Sequence, residues 1–333
     1  MAIVKMKKLT LAAAACDADT LMQKLMWTGS VEVTDAAASL GGDKDLPPDE
    51  RFSQRLSELY LKQSEYEKAI SFLKEYEKAP KGLFARRKAY TRERYDMPEE
   101  TFSSADSISL EAHKISSGLD DLFAEEARIR ASLSFLAPWK DLDLSLSMKG
   151  TLTTEIVAGS LPKDVDYDML REELFLECEN ALIEKVSENE NSSHVCVIAL
   201  KEDLDRVTSL LSKKGFIRAD FSAYKLSAAE EFTRLSQRSE MLEIERSNLK
   251  TKAMKLAQET HILRLACDIV STEISRTEAQ KKLICTKSAV ILSGWVPEKK
   301  TDEIDKILEG YECFREYSDP EEGDDVQQYC KAV

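Results

Sequence analysis

The chain has 333 residues, of which 61 are acidic and 47 basic, and its net charge is −14. This acidic balance argues against nucleic acid as the main partner. The seven cysteines are scattered and form no CxxC pair, which argues against a disulfide framework or a zinc site and favours reduced thiols in a cytoplasm. No apolar run approaches 18 residues, so we expect no membrane-spanning segment in this chain.

The chain opens with a predicted strand–helix–strand unit. Apolar positions at 3–15 indicate a strand that leads into a turn. Residues 19–29 indicate a short helix that ends at its final glycine, and 30–35 a second strand. Pairs of glycine at 41–42 and of proline at 47–48 then predict a linker.

Two helices with seven-residue apolar repeats follow. The first runs from Asp49 to Lys78, and the second ends at Pro138. The repeat of the second helix consists of Ile108, Ile115, Leu122, Ile129 and Leu136. Such spacing places an apolar stripe along one side of a helix. We predict that these two outgoing helices lie one after the other.

Residues 139–226 have a different pattern, with six short elements. Strands are predicted at 154–161, 181–189, 192–200 and 216–221, and helices at 166–178 and 203–215. The resulting order, βαββαβ, is that of the ferredoxin-like split. The sequence therefore predicts a distal α/β lobe of this type.

A long return helix is predicted from Ser227 to Leu283, because neither glycine nor proline interrupts this span. Ser227 and Glu230 have the spacing of a capping box at its start. The strongest seven-residue repeat of the chain runs along this helix: Leu235, Leu242, Leu249, Leu256, Leu263 and Val270. An unbroken helix of this length would measure about 85 Å. It needs partners for its stripe, and we predict an antiparallel coiled-coil rod with the two outgoing helices.

The closing part of the chain repeats the strand–helix–strand order of the opening. Residues 289–297 (AVILSGWVP) predict an apolar strand, 298–310 a helix and 312–319 a further strand. The predicted class is α+β, with two small α/β lobes joined by the rod. The predicted segments are 1–48 and 284–318 for the proximal lobe, 49–138 for the outgoing helices, 139–226 for the distal lobe, 227–283 for the return helix and 319–333 for an acidic tail.

No catalytic constellation is visible in the sequence. It has no GxxxxGK[ST], GxGxxG, HExxH or GxSxG motif, and we predict no catalytic residue, cofactor or metal. The three histidines, His113, His194 and His261, lack the spacing of metal ligands. We interpret them as surface or partly buried positions.

Two features leave alternatives open. One basic cluster interleaves charged and aromatic residues: Phe84, Arg86, Arg87, Lys88, Tyr90, Arg92, Arg94 and Tyr95. Salt bridges to acidic helices are the favoured interpretation of this cluster, and binding of a polyanion or lipid headgroup is the other. Trp295 in the SGWVP stretch has a similar ambiguity, since it either packs at the end of a core strand or anchors a partner.

Several stretches resemble subunit I of prokaryotic V/A-type ATPases, a relative of the vacuolar ATPase subunit a. The most specific is ILSGWVPEKK, which contains Gly294, Trp295 and Pro297. The opening IVKMKKLTLAAAACDADTLMQKLMWTGSVEV and the ending SDPEEGDDV also resemble this family. The middle agrees as well, through IVAGSLPKDVDYDMLREEL and HVCVIALKEDLDRVTSLLSKKGF. The resemblance covers essentially the whole chain.

The resemblance implies a non-catalytic stator role on the cytoplasmic face of the membrane. In such proteins the two lobes grip peripheral stalks formed by subunits E and G, so that the catalytic head cannot turn with the rotor ring. ATP hydrolysis or synthesis is thereby coupled to proton or sodium transport. The membrane half of the family, which lines the ion channel, is expected to be absent from this chain.

Two other functions compete with the stator role. One is a free-standing coiled-coil scaffold, which would not co-purify with subunits E and G. The other is a small-molecule sensor built on the ferredoxin-like lobe, which would show a ligand-dependent melting shift. A fold by itself is weak evidence for either function.

Overall fold

The computed structural model describes residues 4–39, 50–77, 90 and 98–321. They form long helices and two antiparallel sheets, which agrees with the predicted α+β class. The chain divides into two compact units. Unit 1 comprises Met1–His113 and Met254–Val333, and unit 2 comprises Lys114–Ala253.

Helices and strands alternate irregularly along the described residues. In chain order they are β1 (Met6–Ala14), α1 (Ala18–Thr28), β2 (Glu32–Thr34), α2 (Ala36–Ser39), α3 (Glu50–Lys74), α4 (Pro98–Leu136), β3 (Thr154–Pro162), α5 (Tyr167–Glu177), β4 (Leu182–Glu188), β5 (Ser192–Leu200), α6 (Leu204–Lys213), β6 (Ile217–Arg218), α7 (Ala228–Leu256), α8 (Thr260–Lys281), β7 (Ile284–Cys285), β8 (Ala289–Pro297), α9 (Thr301–Leu308) and β9 (Cys313–Ser318).

The opening and closing segments share the sheet of unit 1. Its strand order is β2-β8-β1-β9, with the short β7 also paired to β8. Leu9, Leu11 and Ala13 alternate along β1 and are buried, as expected for a strand with one face in a core. Helices α1 and α9 contribute to the same core through Leu21, Leu25, Ile304 and Leu308.

The predicted serial arrangement of the two outgoing helices is wrong, because the first part of α4 lies beside α3 in unit 1. Lys62 of α3 pairs with Asp106 of α4 at 3.3 Å. One turn further along both helices, the Ser109 hydroxyl donates to the backbone oxygen of Glu65 at 3.4 Å. The two helices therefore run in parallel. Their side-by-side packing has a physical cause, since it buries Tyr66 and residues of both helices from water.

Helix α8 runs antiparallel to α3 within unit 1. Arg55 of α3 pairs with Glu273 at 3.0 Å. At the other end, Arg264 of α8 pairs with Glu77, just beyond α3, at 2.7 Å. The buried face of α8 is broad and consists of Thr260, Leu263, Leu265, Ala266, Ile269, Val270, Ile274, Thr277 and Gln280. A face of this width exceeds a two-helix seam.

The return helix was predicted to be unbroken, but the structure shows a break in it. A 3-10 turn at Ala257–Glu259 separates α7 from α8. Thr260 explains this turn: its backbone N–H and its hydroxyl both donate to the backbone oxygen of Ala257, the hydroxyl at 2.8 Å. A threonine hydroxyl that bonds back to the preceding turn competes with the regular helical pattern.

In unit 2, the second part of α4 and α7 form an antiparallel pair. Arg238 of α7 holds Glu125 of α4 with two hydrogen bonds of 2.8 and 3.0 Å. The predicted capping box is present at the start of α7. The backbone N–H of Ser227 donates to Glu230 at 3.0 Å, and that of Glu230 donates to the Ser227 hydroxyl at 3.3 Å.

The sheet of unit 2 has the strand order β4-β5-β3-β6, with antiparallel neighbours throughout. Val195, Val197 and Ala199 of β5 belong to the core that α5 and α6 share. The intervening Cys196 belongs to a second core, which includes Trp139 and residues of α4 and α7. Both sides of β5 are therefore packed.

No helix within the described ranges has the length and apolarity needed to cross a membrane.

Candidate interaction surfaces

The eleven predicted seam residues are distributed over both units. Within unit 1 they are Ile108, Leu256, Leu263 and Val270, and all are buried. Within unit 2 they are Ile115, Leu122, Ile129, Leu136, Leu235, Leu242 and Leu249. Of these seven, Leu122 and Leu249 are half-buried and the others are buried. The burial agrees with an apolar stripe on these helices. The coiled-coil rod that was predicted to join the two lobes stays a prediction.

The SGWVP stretch lies in the middle of the unit 1 sheet. Gly294 faces Leu9 of β1 and Val33 of β2. A Cβ atom at Gly294 would lie 2.4 Å from the backbone oxygen of Glu32, so only glycine lets β2 come this close. Trp295 is 5% exposed, which favours packing over a partner anchor. Pro297 ends β8.

The three histidines lie on different elements. His194 of β5 is buried, its ring is 5.3 Å from that of Trp139, and its Nδ1 lies 3.3 Å from the Ser187 hydroxyl. Burial lowers the pKa of His194. His113 is exposed on α4, and the Nδ1 of His261 is 3.1 Å from the backbone oxygen of Gln258. Across the residues whose placement is described, no group of His, Cys, Asp and Glu could hold a metal ion.

The cysteines that the structure describes form no disulfide bond with one another. Burial raises the pKa of the Cys196 thiol to about 11, and burial also raises that of Cys178. These two thiols are therefore poor nucleophiles at neutral pH.

The predicted basic cluster lies outside the described residues, apart from Tyr90, whose hydroxyl donates to the backbone oxygen of His261 at 3.2 Å.

Unit 1 has a cavity of about 260 Å³ that α1, β2 and α8 line. Oppositely charged groups face it, Glu32 from β2 and Arg276 from α8. The Arg276 guanidinium pairs with Glu273 of its own helix at 2.9 Å. Among the described residues, the buried Oε2 of Glu32 and Nε of Arg276 have no hydrogen-bond partner. Such a polar cavity is suited to solvent or a small polar molecule.

Unit 2 has a cavity of about 550 Å³ at the face of its sheet that lies opposite α5 and α6. Apolar Ile156 and Ala158 belong to its floor, whereas Lys149, Arg218 and Asp220 belong to its polar lining. The pKa of Asp220 is lowered, first by hydrogen bonds from Ser222 and then by the nearby Arg218 and Lys149 charges. This cavity combines an apolar floor with mixed charge.

A second surface of unit 2 is a groove of about 880 Å³, which we call the α5–β4 groove. Its lining comes from the α5 helix, the following turn and the start of β4: Asp168, Arg171, Glu172, Phe175, Leu176, Glu179, Asn180, Ala181, Leu182 and Ile183. Three of these apolar side chains are largely open to solvent, with Leu176 at 82%, Phe175 at 60% and Leu182 at 54%.

The sequence patterns did not predict this groove. The signal was the run Leu174-Phe175-Leu176 at the end of an amphipathic helix. Consecutive helical residues are about 100° apart, so a run of three cannot face one core. Leu174 is buried, and its two neighbours point away from the core.

Comparison with known proteins gives relatives of one kind, although no family model matches the chain. The A-type ATP synthase subunit I of Methanocaldococcus jannaschii is 27% identical over 217 residues, covering 62% of this chain and 31% of the relative. The subunit I of Methanothermobacter thermautotrophicus is 22% identical over 329 residues, covering 92% of this chain and 49% of the relative. The chain thus spans less than half the length of these curated relatives.

A solved structure extends the likeness to the fold. It is the crystal structure of the cytoplasmic N-terminal domain of subunit I, a homologue of subunit a, of V-ATPase. It matches with a TM-score of 0.51 and 15% identity, over 94% of this chain and 100% of that one. The resemblance read from the sequence is therefore confirmed: the chain is related to subunit I of A-type ATP synthases and has the fold of the cytoplasmic N-terminal domain of subunit I.

Proposed function

We propose that this chain acts as a non-catalytic stator subunit in a rotary V/A-type ATPase. The observation that carries the proposal is the similarity to subunit I over 92% of the chain. The chain would lie at the cytoplasmic face of the membrane as part of a membrane complex. Its partners would be the peripheral stalk subunits E and G, the ion-conducting membrane half and the rotor ring.

A stator has to resist torque, and the helix pairs of both units support this role. In unit 1, ion pairs join α3 to α8 near both ends of α3. In unit 2, Arg238 grips Glu125 with two parallel bonds, the geometry that fixes orientation as well as distance. Apolar side chains are buried between the helices of each unit. These features stiffen each unit against sliding of its helices.

Two finer points belong to the same proposal. The element order βαββαβ and the strand order β4-β5-β3-β6 support a ferredoxin-like lobe within 139–226. The antiparallel helix pairs support a coiled-coil rod built from 49–138 and 227–283, with the 3-10 turn inside the return arm. A rod of this kind would hold two contact surfaces at a fixed separation, which strengthens binding when both surfaces are engaged.

The test is calorimetric titration of the full chain with a purified E–G stalk heterodimer, without ATP, metal or membrane. We expect saturable binding at micromolar concentrations, and we expect added ATP and Mg²⁺ to leave it unchanged. Absence of heat and of co-migration at tens of micromolar would contradict the stator role. It would also favour the free-standing scaffold, which has no need of these subunits.

The 550 Å³ cavity of unit 2 supports small-molecule sensing as a second candidate function. Its volume is within the range of ligand pockets, and an apolar floor with a few polar groups is typical of them. A screen of small carboxylates and phosphates by thermal melting tests this function. A melting temperature that no compound changes would argue against it.

A further inference from the structure

We infer that the α5–β4 groove binds an amphipathic helix of a partner protein, and that this helix carries basic residues beside its apolar side. The inference rests on the proposed function, in which the E–G stalk is the partner. It adds the surface that makes the contact and the chemistry of the segment that is bound.

The groove has an apolar part that is open to solvent. Phe175, Leu176 and Leu182 come from two different elements and are mostly exposed. Exposed apolar side chains are common singly, but a contiguous set with polar residues around it marks an interaction site. An aromatic ring and two leucines in a concave surface suit the anchor residues of a docked helix, which recur at every third or fourth position.

The charge around the groove is mainly negative. Asp168, Glu172 and Glu179 line it together with a single basic residue, Arg171. Within the described part of the chain, the ion pair that α5 makes joins Glu173 to Lys214 at 2.7 Å and includes none of these three carboxylates. Three acidic groups against one basic group favour a partner segment that is rich in lysine or arginine.

The edge of the sheet argues for a helix as the occupant instead of an added strand. Strand β4 is an edge strand of the four-stranded sheet. Its pairing with β5 shifts register between Lys185 and Ser187, and Glu188 is held by Lys185 at 2.7 Å. Irregular register and charge at an edge oppose the addition of a further strand. The groove beside α5, by contrast, is wide enough to take side chains.

The experiment compares variants of the full chain in titrations with the purified E–G heterodimer. The test variants are Leu176→Asp and the double charge reversal Glu172→Lys/Glu179→Lys. The matched control is Leu152→Asp, because Leu152 is 95% exposed in unit 2 and lies outside the groove. All of these positions are exposed, so we expect the melting temperature of each variant to stay close to that of the parent chain.

We expect Leu176→Asp to weaken stalk binding by about 30-fold or more, as for a central apolar anchor. Leu152→Asp should bind like the parent chain. The charge reversal should weaken binding by about tenfold at low salt and should reduce its dependence on NaCl concentration. This combination would support the groove as the docking site.

Three outcomes would overturn the inference, each in a different way. If the parent chain and Leu176→Asp bind the stalk equally, the groove is not the contact, and the stator role stands. If the parent chain does not bind the stalk at all, the proposed function fails and the inference fails with it. If sedimentation shows a dimer of the parent chain that Leu176→Asp abolishes, the groove is occupied by a second copy and not by a basic partner helix.

Discussion

The phenol of Tyr66 donates a hydrogen bond of 2.5 Å to Oδ1 of Asp106 and thereby links α3 to the first part of α4. Tyr66 has no exposed surface, whereas Asp106 is open to solvent and also pairs with Lys62. Burial, and next the bond to Asp106, raises the pKa of Tyr66 far above its ordinary value. Tyr66 therefore stays protonated, and remains a hydrogen-bond donor, well above neutral pH.

The Tyr66 ring should matter more for stability than its hydroxyl. Tyr66→Phe removes one hydrogen bond whose acceptor can turn to water, and we expect a loss of about 1 kcal/mol. Tyr66→Ala also leaves a cavity between the helices, and we expect a loss of about 3–5 kcal/mol. Urea denaturation followed by circular dichroism measures both losses. Equal losses for the two variants would show that the ring does not fill the space between α3 and α4.

The seam of unit 2 can be tested with two adjacent residues of α7. Leu242 is 3% exposed, whereas Met241 is 58% exposed. Leu242→Asp would put a carboxylate among apolar side chains, so we expect a loss of several kcal/mol. Met241→Asp should change stability by less than about 0.5 kcal/mol. Thermal melting of both variants measures this difference in stability. Similar melting temperatures would contradict the assigned seam.

Two glycines should respond to alanine in opposite directions. Gly294→Ala places a Cβ 2.4 Å from a backbone oxygen of β2, and the two strands must separate. We expect this to cost about 1–3 kcal/mol. Gly118 is in helix α4, and a Cβ there would lie 3.2 Å from Cδ1 of Leu249. This methyl group is at the end of a half-buried side chain that can move, so we expect Gly118→Ala to stabilise the chain.

The gain from Gly118→Ala should be at most about 1 kcal/mol, the difference in helix propensity between glycine and alanine. Denaturant titrations of both alanine variants provide the measurement. A destabilised Gly118→Ala would show that Leu249 is held too firmly to make room. If Gly294→Ala has the same stability as the parent chain, the close approach of β2 to β8 does not require glycine at this position.

His194 should make stability depend on pH in the mildly acidic range. Burial lowers its pKa in the folded chain, so below about pH 6.5 the unfolded state binds a proton that the folded state resists. Stability from this residue is thus fully present above that pH and declines as the pH falls. The decline cannot exceed about 1.4 kcal/mol per pH unit for one group.

His194→Phe keeps an aromatic ring against Trp139 and removes the titrating group. We expect this variant to lose less stability than the parent chain between pH 7 and pH 5.5, as measured by urea denaturation at each pH. His113→Phe is the control, because His113 is exposed on α4. If the His194 variant and the parent chain have the same pH profile, the histidine is not held neutral by burial.

The sequence by itself determined the type and order of most elements. The glycine- and proline-free span after Gly215 predicted helix over nearly all of 227–283, and the Ser227–Glu230 spacing marked its start. Alternating apolar residues predicted the strand that became β3, and the apolar run within 192–200 predicted the strand that became β5. These features are local, because a residue's periodicity and its capping bonds depend on neighbours within a few positions.

The tertiary structure decided which partner each apolar stripe contacts. A seven-residue repeat indicates the apolar side of a helix, but the same stripe suits one partner or two. In unit 1 the first part of α4 took a place beside α3, around the buried Tyr66, instead of following it in series. The exposure of Leu176 was equally beyond the sequence, because it depends on which residues of α5 the sheet covers. Burial is a property of distant parts of the chain brought together, and the pattern of one helix does not contain it.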